Sequence, residues 1–368
     1  MSGRSGILQI VTQLEAGGAQ RCAIENAREF RRRGIATETC FLYRKRDVWS
    51  GEPGLVCLLG RPPRSIADYI TIFHRLWRML RRRRPETVIA YSHYANVFGC
   101  LFALLSGVPK RAANQTGLPD RIPAMARRLD FLFGCAGVYT AIIANSRTTF
   151  EALAARPPGY AARLQMVANG IGPPATALTR TEARHRLGIP EATCVFVTVG
   201  RLAEVKNHAR LIEAMRGIDD AVLLIAGDGE CREALARMCS DPALGGRVRL
   251  LGEVAPDDLG DLFAAADAFV LPSLWESFGL AAVEAVAAAL PVAASDIPAL
   301  REVLSVETGH GALYFAPDSV EVIADALRTM RDDAALRTEI AASLTPVAQR
   351  YGVSAMADGF LEASRHGR

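Results

Sequence analysis

The chain has 368 residues, half of them hydrophobic and 22% charged, and a formal net charge of +4, which predicts a soluble, ordered protein of about two domains and does not predict a nucleic-acid binder. No apolar run reaches 18 residues, and the eight cysteines are scattered without a C-x-x-C pair, so neither a membrane-spanning helix nor a disulfide framework or zinc cluster is expected. The charge is unevenly divided: residues 1–168 hold 25 Lys+Arg against 11 Asp+Glu, the remainder holds 18 against 28, and this points to an anionic partner on the N-terminal side.

Taken in order, the chain opens on MSGRSGILQIV, which lacks the long apolar region and cleavage site of a signal peptide. Short apolar runs then alternate with helical patterns. In the first half the runs are Ile7–Val11, Thr39–Leu42, Leu55–Leu59, Thr87–Tyr91 and Thr140–Ala144. In the second they are Cys194–Val199, Val222–Ala226, Val248–Leu251, Ala268–Leu271 and Pro291–Ala294. Such runs, apolar on both faces, suit buried parallel strands. Ala19–Arg33 and Leu211–Arg216 read as helices between them. Ile72–Arg84, IFHRLWRMLRRRR, puts Ile72, Leu76, Met79 and Leu80 roughly on one side, with Trp77 and arginines beside them. It reads either as a helix docked on a sheet or as a cationic amphipathic helix lying on an anionic membrane. A domain boundary is expected near 168–180, where Asn169-Gly170 is followed by Gly172 and two prolines. The repeated β-α-β-α order predicts two doubly wound α/β domains.

Four loops after predicted strands carry the candidate chemistry. Pro272–Glu284 runs from a strand into a helix, where amides near Phe278, Gly279 and Leu280 can hold phosphate oxygens. Glu276 and Glu284 are eight residues apart, about 12 Å of rise if helical. They read either as two ends of a grip on an elongated ligand or as solvated glutamates on a surface helix. Gly200–Asn207 holds Arg201 and Lys206, both able to reach a diphosphate. Lysine is rare here, with only Lys45, Lys110 and Lys206 among the 43 basic residues. Gly17 and Gly18 permit a tight turn with open amides. Asp228 lies in Ala226-Gly227-Asp228-Gly229, but Arg232 breaks a G-x-G-x-x-G fingerprint and disfavours a nicotinamide enzyme. There is no G-x4-G-K-[ST], H-E-x-x-H or G-x-S-x-G.

The ordered set Gly17-Gly18-Ala19-Gln20-Arg21, Asn169-Gly170, Gly200-Arg201-Leu202 with Lys206-Asn207, Ala226–Gly229, Leu251-Gly252-Glu253-Val254 and Pro272-Ser273 with Glu276–Leu280 and Glu284-Ala285 resembles glycosyltransferase family 4. The likeness spans nearly the whole chain and is strongest in 190–305. It implies the GT-B fold: two Rossmann-like doubly wound domains facing across a cleft. Residues 1–170 would bind the acceptor, 171–350 the nucleotide-sugar donor, and 351–368 would be a helix crossing back. It implies a retaining, metal-independent transferase without a cofactor, whose substrate is a UDP- or GDP-sugar and whose acceptor is a glycan, glycolipid or lipid-linked molecule. Arg201 and Lys206 would grip the diphosphate and offset leaving-group charge, and Glu276, with the backbone of Ser277, Phe278, Gly279 and Leu280, would hold the sugar and phosphates. Glu284 would hold the ribose, Leu250 and Leu251 would lie beside the base, and Gly17 and Gly18 would close on phosphate and acceptor. No side-chain nucleophile is implied.

The chain departs from the family in places. Gln115 stands where many members have a histidine near the sugar, and the resemblance implies that Gln115 and Thr116 contact acceptor or sugar, although Gln115 cannot carry a proton charge. Gly172 replaces an acidic residue after the Asn-Gly turn. Ser295–Ala299 lacks a glycine pair, and Ala289 stands where the A-A-G-x-P turn has glycine. His93, at a predicted strand end, reads as an acceptor or sugar contact or as a satisfied strand-end histidine. The basic half adds an anionic membrane surface as a partner, no nucleic acid, and a cytoplasmic location at the inner face of the cell membrane. A GT-B scaffold that binds without turnover and a nucleotide-sugar epimerase of the same fold are the alternatives.

Overall fold

The computed structural model describes residues 6–46, 48–49, 51–117 and 123–366. The chain divides into two compact units, Met1–Gly170 with Val353–Arg368, and Ile171–Gly352.

In the first unit, strands β1 (Ile7–Leu14), β2 (Thr37–Arg44), β3 (Leu55–Cys57), β4 (Thr87–Tyr91), β5 (Lys110–Gln115), β6 (Ala141–Ala144) and β7 (Leu164–Met166) form one sheet in the order β3-β2-β1-β4-β5-β6-β7. Every pairing is parallel. The connecting helices are α1 (Gly18–Arg32), α2 (Ile66–Arg83), α3 (Cys100–Leu105), α4 (Ala124–Cys135), α5 (Arg147–Ala154) and α6 (Pro158–Ala161). The second unit has β8 (Cys194–Val199), β9 (Ala221–Ala226), β10 (Val248–Gly252), β11 (Ala268–Leu271), β12 (Val292–Ser295) and β13 (Leu313–Phe315), ordered β10-β9-β8-β11-β12-β13. Its helices are α7 (Arg180–Arg186), α8 (His208–Ala214), α9 (Arg232–Cys239), α10 (Leu259–Ala265), α11 (Leu280–Ala287), α12 (Pro298–Val303), α13 (Val320–Asp332) and α14 (Ala334–Arg350). The last helix, α15 (Val353–His366), packs on the first unit. Its Phe360 ring stacks 5.7 Å from Tyr91, and Asp358 pairs with Arg33. The expected extension of this helix to 368 ends on residues outside the described ones.

Three strands escaped the apolar-run reading, and each has a local cause. β5 reads Lys-Arg-Ala-Ala-Asn-Gln, yet five of its six residues are buried. Arg111 is accommodated because its guanidinium donates to the carbonyls of Val108, Pro109, Gly137 and Val138. β7 and β13 have three residues each and are fixed by pairing with longer neighbours rather than by their own pattern.

In both sheets the strand order reverses at an interior strand. β1 lies between β2 and β4, and β8 lies between β9 and β11. Crevices open beside the carboxyl ends of strands at such switch points, which is where open α/β sheets place ligands.

The end of α11 shows what one sequence departure does. The Leu290 amide donates to Ala285 O (3.0 Å) and the Ala289 amide to Val286 O (2.9 Å), the two bonds of a Schellman ending. Ala289 sits at φ 58°, in the left-handed region where a Cβ costs roughly 1–2 kcal/mol. Ala289→Gly is therefore expected to raise the melting temperature by about 2–4 °C, read by a thermal melt. An unchanged or lower value would show that the Cβ is not strained.

Candidate functional site

In the second unit the loops after β8 and β11 meet at the switch point. The Leu274 amide donates to Val205 O (2.8 Å) and the Asn207 side-chain amide to Pro272 O (3.1 Å). The Lys206 ammonium donates to Glu276 Oε1 (2.5 Å), which also accepts the Ser273 hydroxyl at 2.7 Å. The two charged side chains keep 22% and 10% of their exposure, so the pair is partly withdrawn from water and its attraction is stronger than on an open surface. Arg201 stands exposed at the start of the same loop. Lys206 and Glu276 thus join two adjoining loops at the switch point, and Arg201 lies at the start of the first.

α11 starts at Leu280, so Glu276 belongs to the loop and a 12 Å helical rise does not describe the pair. Nor are they solvated surface glutamates, because Glu284 is buried and Glu276 is ion-paired. Gly279 adopts φ 93°, and no side chain caps α11. The Ala282 amide donates to Gly279 O (2.9 Å), which leaves the Leu280 and Ala281 amides available to an anion. Ser277 is half-buried beside them. Phe278 is buried edge-on against Tyr351 (5.2 Å), which leaves backbone as its contribution to the crevice. Leu250 and Leu251 are half-buried on the edge strand β10, where the ladder is irregular between Leu250 and Gly252.

Two features of this crevice were not legible in the motifs. Asn207 adopts φ 57°, tolerated by asparagine better than by most residues. Its side chain donates also to Pro317 O (2.7 Å) and accepts from Arg210 (3.0 Å), so one residue ties together the chain after β8, β11 and β13. An asparagine directly after the lysine was the signal available. The second feature is the Ala226–Gly229 loop. Gly200 donates to Ala226 O (3.0 Å) and Leu202 to Asp228 O (3.0 Å), and a Cβ on Gly227 would stand 1.9 Å from Gly200 O. Asp228 accepts its neighbour's amide, from Gly229, at 2.8 Å. Beyond Asn207, burial and the nearby Lys206 charge lower the His208 pKa to about 4, so this imidazole is neutral.

In the first unit the carboxyl end of β1 meets the loop after β4. The Thr12 and Ser92 hydroxyls are 2.7 Å apart, and the Ala95 amide donates to Thr12 Oγ1 (3.2 Å). Ser92 has φ 73°, and a π-helical turn, Ala95–Gly99, follows. Strained non-glycine residues and π turns both concentrate at functional sites. His93 lies between them, its ring 4.3 Å from Tyr94 and its buried Nε2 without a hydrogen-bond partner. Burial lowers its pKa. Gly17 is extended and precedes α1 without a side-chain cap, and Gly18 is exposed. Beside them Glu15 pairs with Lys45 at 2.7 Å. Burial, followed by Glu15, Tyr69 and Tyr94, raises the pKa of Tyr43.

Gln115 does not join this group as a free contact. It is 2% exposed, and its amide donates to Asp130 (2.7 Å) and Tyr160 (3.3 Å). Tyr139 and Tyr160 also donate to Asp130. The side chain that a sugar contact would require is turned into the core because the buried carboxylate needs donors. Thr116, next in sequence, is half-buried.

Residues 179–343 match the family described as glycosyl transferases group 1. A D-inositol 3-phosphate glycosyltransferase of Xylanimonas cellulosilytica is 30% identical over 274 residues, 69% of this chain and 64% of that protein. An uncharacterised glycosyltransferase of Methanocaldococcus jannaschii is 33% identical over 167 residues, 43% of each chain. The chain spans roughly half the length of most curated relatives it matches. Among solved structures, Anabaena HepE in complex with UDP-glucose superposes with a TM-score of 0.80 at 20% identity, over 97% of this chain and 98% of that one. WaaG, a glycosyltransferase involved in lipopolysaccharide biosynthesis, does so at 0.74 and 16% identity, over 97% and 99%. At such identities the likeness establishes the fold, two parallel-sheet Rossmann-like domains as in GT-B glycosyltransferases.

Proposed function

Residues 179–343 belong to the group 1 glycosyl transferases, and from that premise we propose that this protein moves a sugar from a nucleotide-diphosphate donor to a glycan, glycolipid or lipid-linked acceptor. The observation that carries the reading is the Lys206–Glu276 ion pair, which ties the loop after β8, with exposed Arg201 at its start, to the loop that leads into the uncapped start of α11. Two cations and a helix N-terminus there suit a diphosphate in a domain whose overall charge is negative. HepE was solved with UDP and with UDP-glucose, which supports a nucleotide sugar as donor.

In this mechanism the second unit holds the donor. Arg201 and Lys206 offset the charge that develops on the departing nucleotide, so no metal or other cofactor is needed. Glu276 and the backbone of Ser277–Leu280 orient the sugar, Glu284 holds the ribose, and Leu250 and Leu251 flank the base. The acceptor attacks from the face the nucleotide leaves, with retention and without a side-chain nucleophile. In the first unit, Gly17, Gly18, Thr116 and the neutral His93 line the acceptor side. The arginine-rich first unit brings the enzyme to the anionic inner face of a cell membrane.

The test is a thermal-shift series with UDP, GDP and their sugars. A ligand at 100 times its Kd adds about 2.7 kcal/mol of stability. A shift with one nucleotide, followed by its release from the matching sugar in the presence of acceptor, is the expected result. No shift with any nucleotide would sink the proposal. A shift without release or transfer would instead assign a binding scaffold.

A further inference from the structure

Helix α2 carries two apolar stripes. Ile72, Leu76 and Leu80 are buried in the core, so of the two readings of this face the docked helix holds. The second stripe is Ile66, Tyr69, Ile70, Phe73 and Trp77, whose i, i+3, i+4, i+7, i+11 spacing puts them on one flank. Ile66 is 80% exposed, Ile70 62%, Tyr69 49% and Trp77 41%. Phe73 meets Phe98 at 4.8 Å and Phe102 at 5.3 Å, which joins the stripe to α3. α3 ends on Leu104 and Leu105, also exposed. Single exposed apolar residues are ordinary, whereas a row shared by two adjoining helices marks an interaction face.

The other side of α2 is cationic. Arg75, Arg78, Arg81 and Arg82 are exposed, and the Arg81 guanidinium lies 5.8 Å from the Trp77 ring centre. Between this side and the edge strand β3 is a cavity of about 720 Å³, walled by Val56, Leu58, Met79 and arginines. None of the residues described as lining it is acidic. No described helix is long and apolar enough to cross a membrane. Aromatic and aliphatic side chains beside a row of arginines match the interfacial zone of a bilayer, where rings sit at headgroup depth and guanidiniums reach phosphates.

We infer that the outer flank of α2, with the end of α3, docks on an anionic phospholipid bilayer. The inference rests on the membrane contact proposed above and gives that contact its surface and lipid chemistry. It does not depend on sugar transfer. A second copy of the chain is the poorer occupant, because it would set one row of arginines against another.

The full chain is sedimented with vesicles of phosphatidylcholine alone and with vesicles also holding phosphatidylglycerol, at about physiological salt. At least about tenfold tighter binding to the anionic vesicles is expected, from several arginines near the surface. Ile70→Glu and Trp77→Glu, both exposed positions, are each expected to lower that affinity about tenfold. Arg78→Glu with Arg82→Glu is expected to remove the preference for anionic lipid. Equal binding to both vesicles, binding to neither, or wild-type binding by Ile70→Glu would overturn the inference. So would self-association that Ile70→Glu abolishes without any vesicle binding, which would give the face to a second copy. The thermal response to UDP is measured alongside on each variant. Vesicle binding without that response would sink the donor reading and leave this one standing, and the reverse result would do the opposite.

Discussion

Lys206→Ala is expected to weaken UDP or GDP binding by about 30-fold or more, measured by titration calorimetry. Two effects add. In the proposed site the variant loses a charge-assisted bond to the diphosphate, worth about 1.5–3 kcal/mol. It also leaves the Glu276 carboxylate, still bonded by the Ser273 hydroxyl but without its 2.5 Å cation, facing incoming phosphates. The reverse change separates the roles. With Glu276→Ala, Lys206 is released from its ion pair, so nucleotide affinity is expected to hold or rise while sugar transfer is lost. The double variant should be less than the sum of the two, because each change acts through the other residue. A Lys206→Ala protein that binds nucleotide within twofold of wild type would place the diphosphate elsewhere.

Gly227→Ala carries the largest expected effect on stability. Gly227 has φ 144°, a region essentially closed to residues with a Cβ. The added methyl would also overlap Gly200 O at 1.9 Å, and a carbonyl in a bonded loop cannot swing away as a side chain would. Strain and clash together are expected to cost roughly 3 kcal/mol or more and to lower the melting temperature by about 6–12 °C. Gly200 precedes Arg201, so relief of the clash would displace the loop proposed to hold the diphosphate. Nucleotide affinity should therefore fall with stability. A melting temperature within about 1 °C of wild type would show that the two loops are not pressed together in solution.

Much of the proposed donor site was legible because its candidate residues are local in sequence. Arg201 and Lys206 follow one apolar run, Glu276–Leu280 follows another, and strands that are apolar on both faces announce a parallel sheet with loops at its carboxyl edge. The Gln115 side chain was misread for a physical reason. Its partner Asp130 lies fifteen residues away on α4, and nothing in the local pattern shows that a buried carboxylate requires its amide. The charged start of β5 concealed a buried strand in the same way, since the carbonyls that satisfy Arg111 lie partly on a distant turn.

Helix α2 makes the division plain. Its spacing alone determined an amphipathic cationic helix, because a 3.6-residue period fixes which side chains share a face. Two apolar rows fit that period, and only the packing of Leu76 and Leu80 against the sheet decided which was core and which was left outside. The same holds for the site. Composition, period and motif order determined two α/β domains and the loops that we propose as a diphosphate site. Strand order, which sets β8 beside β11 and β1 beside β4, decided which loops meet, because long-range pairing depends on the whole sheet and is written in no single segment.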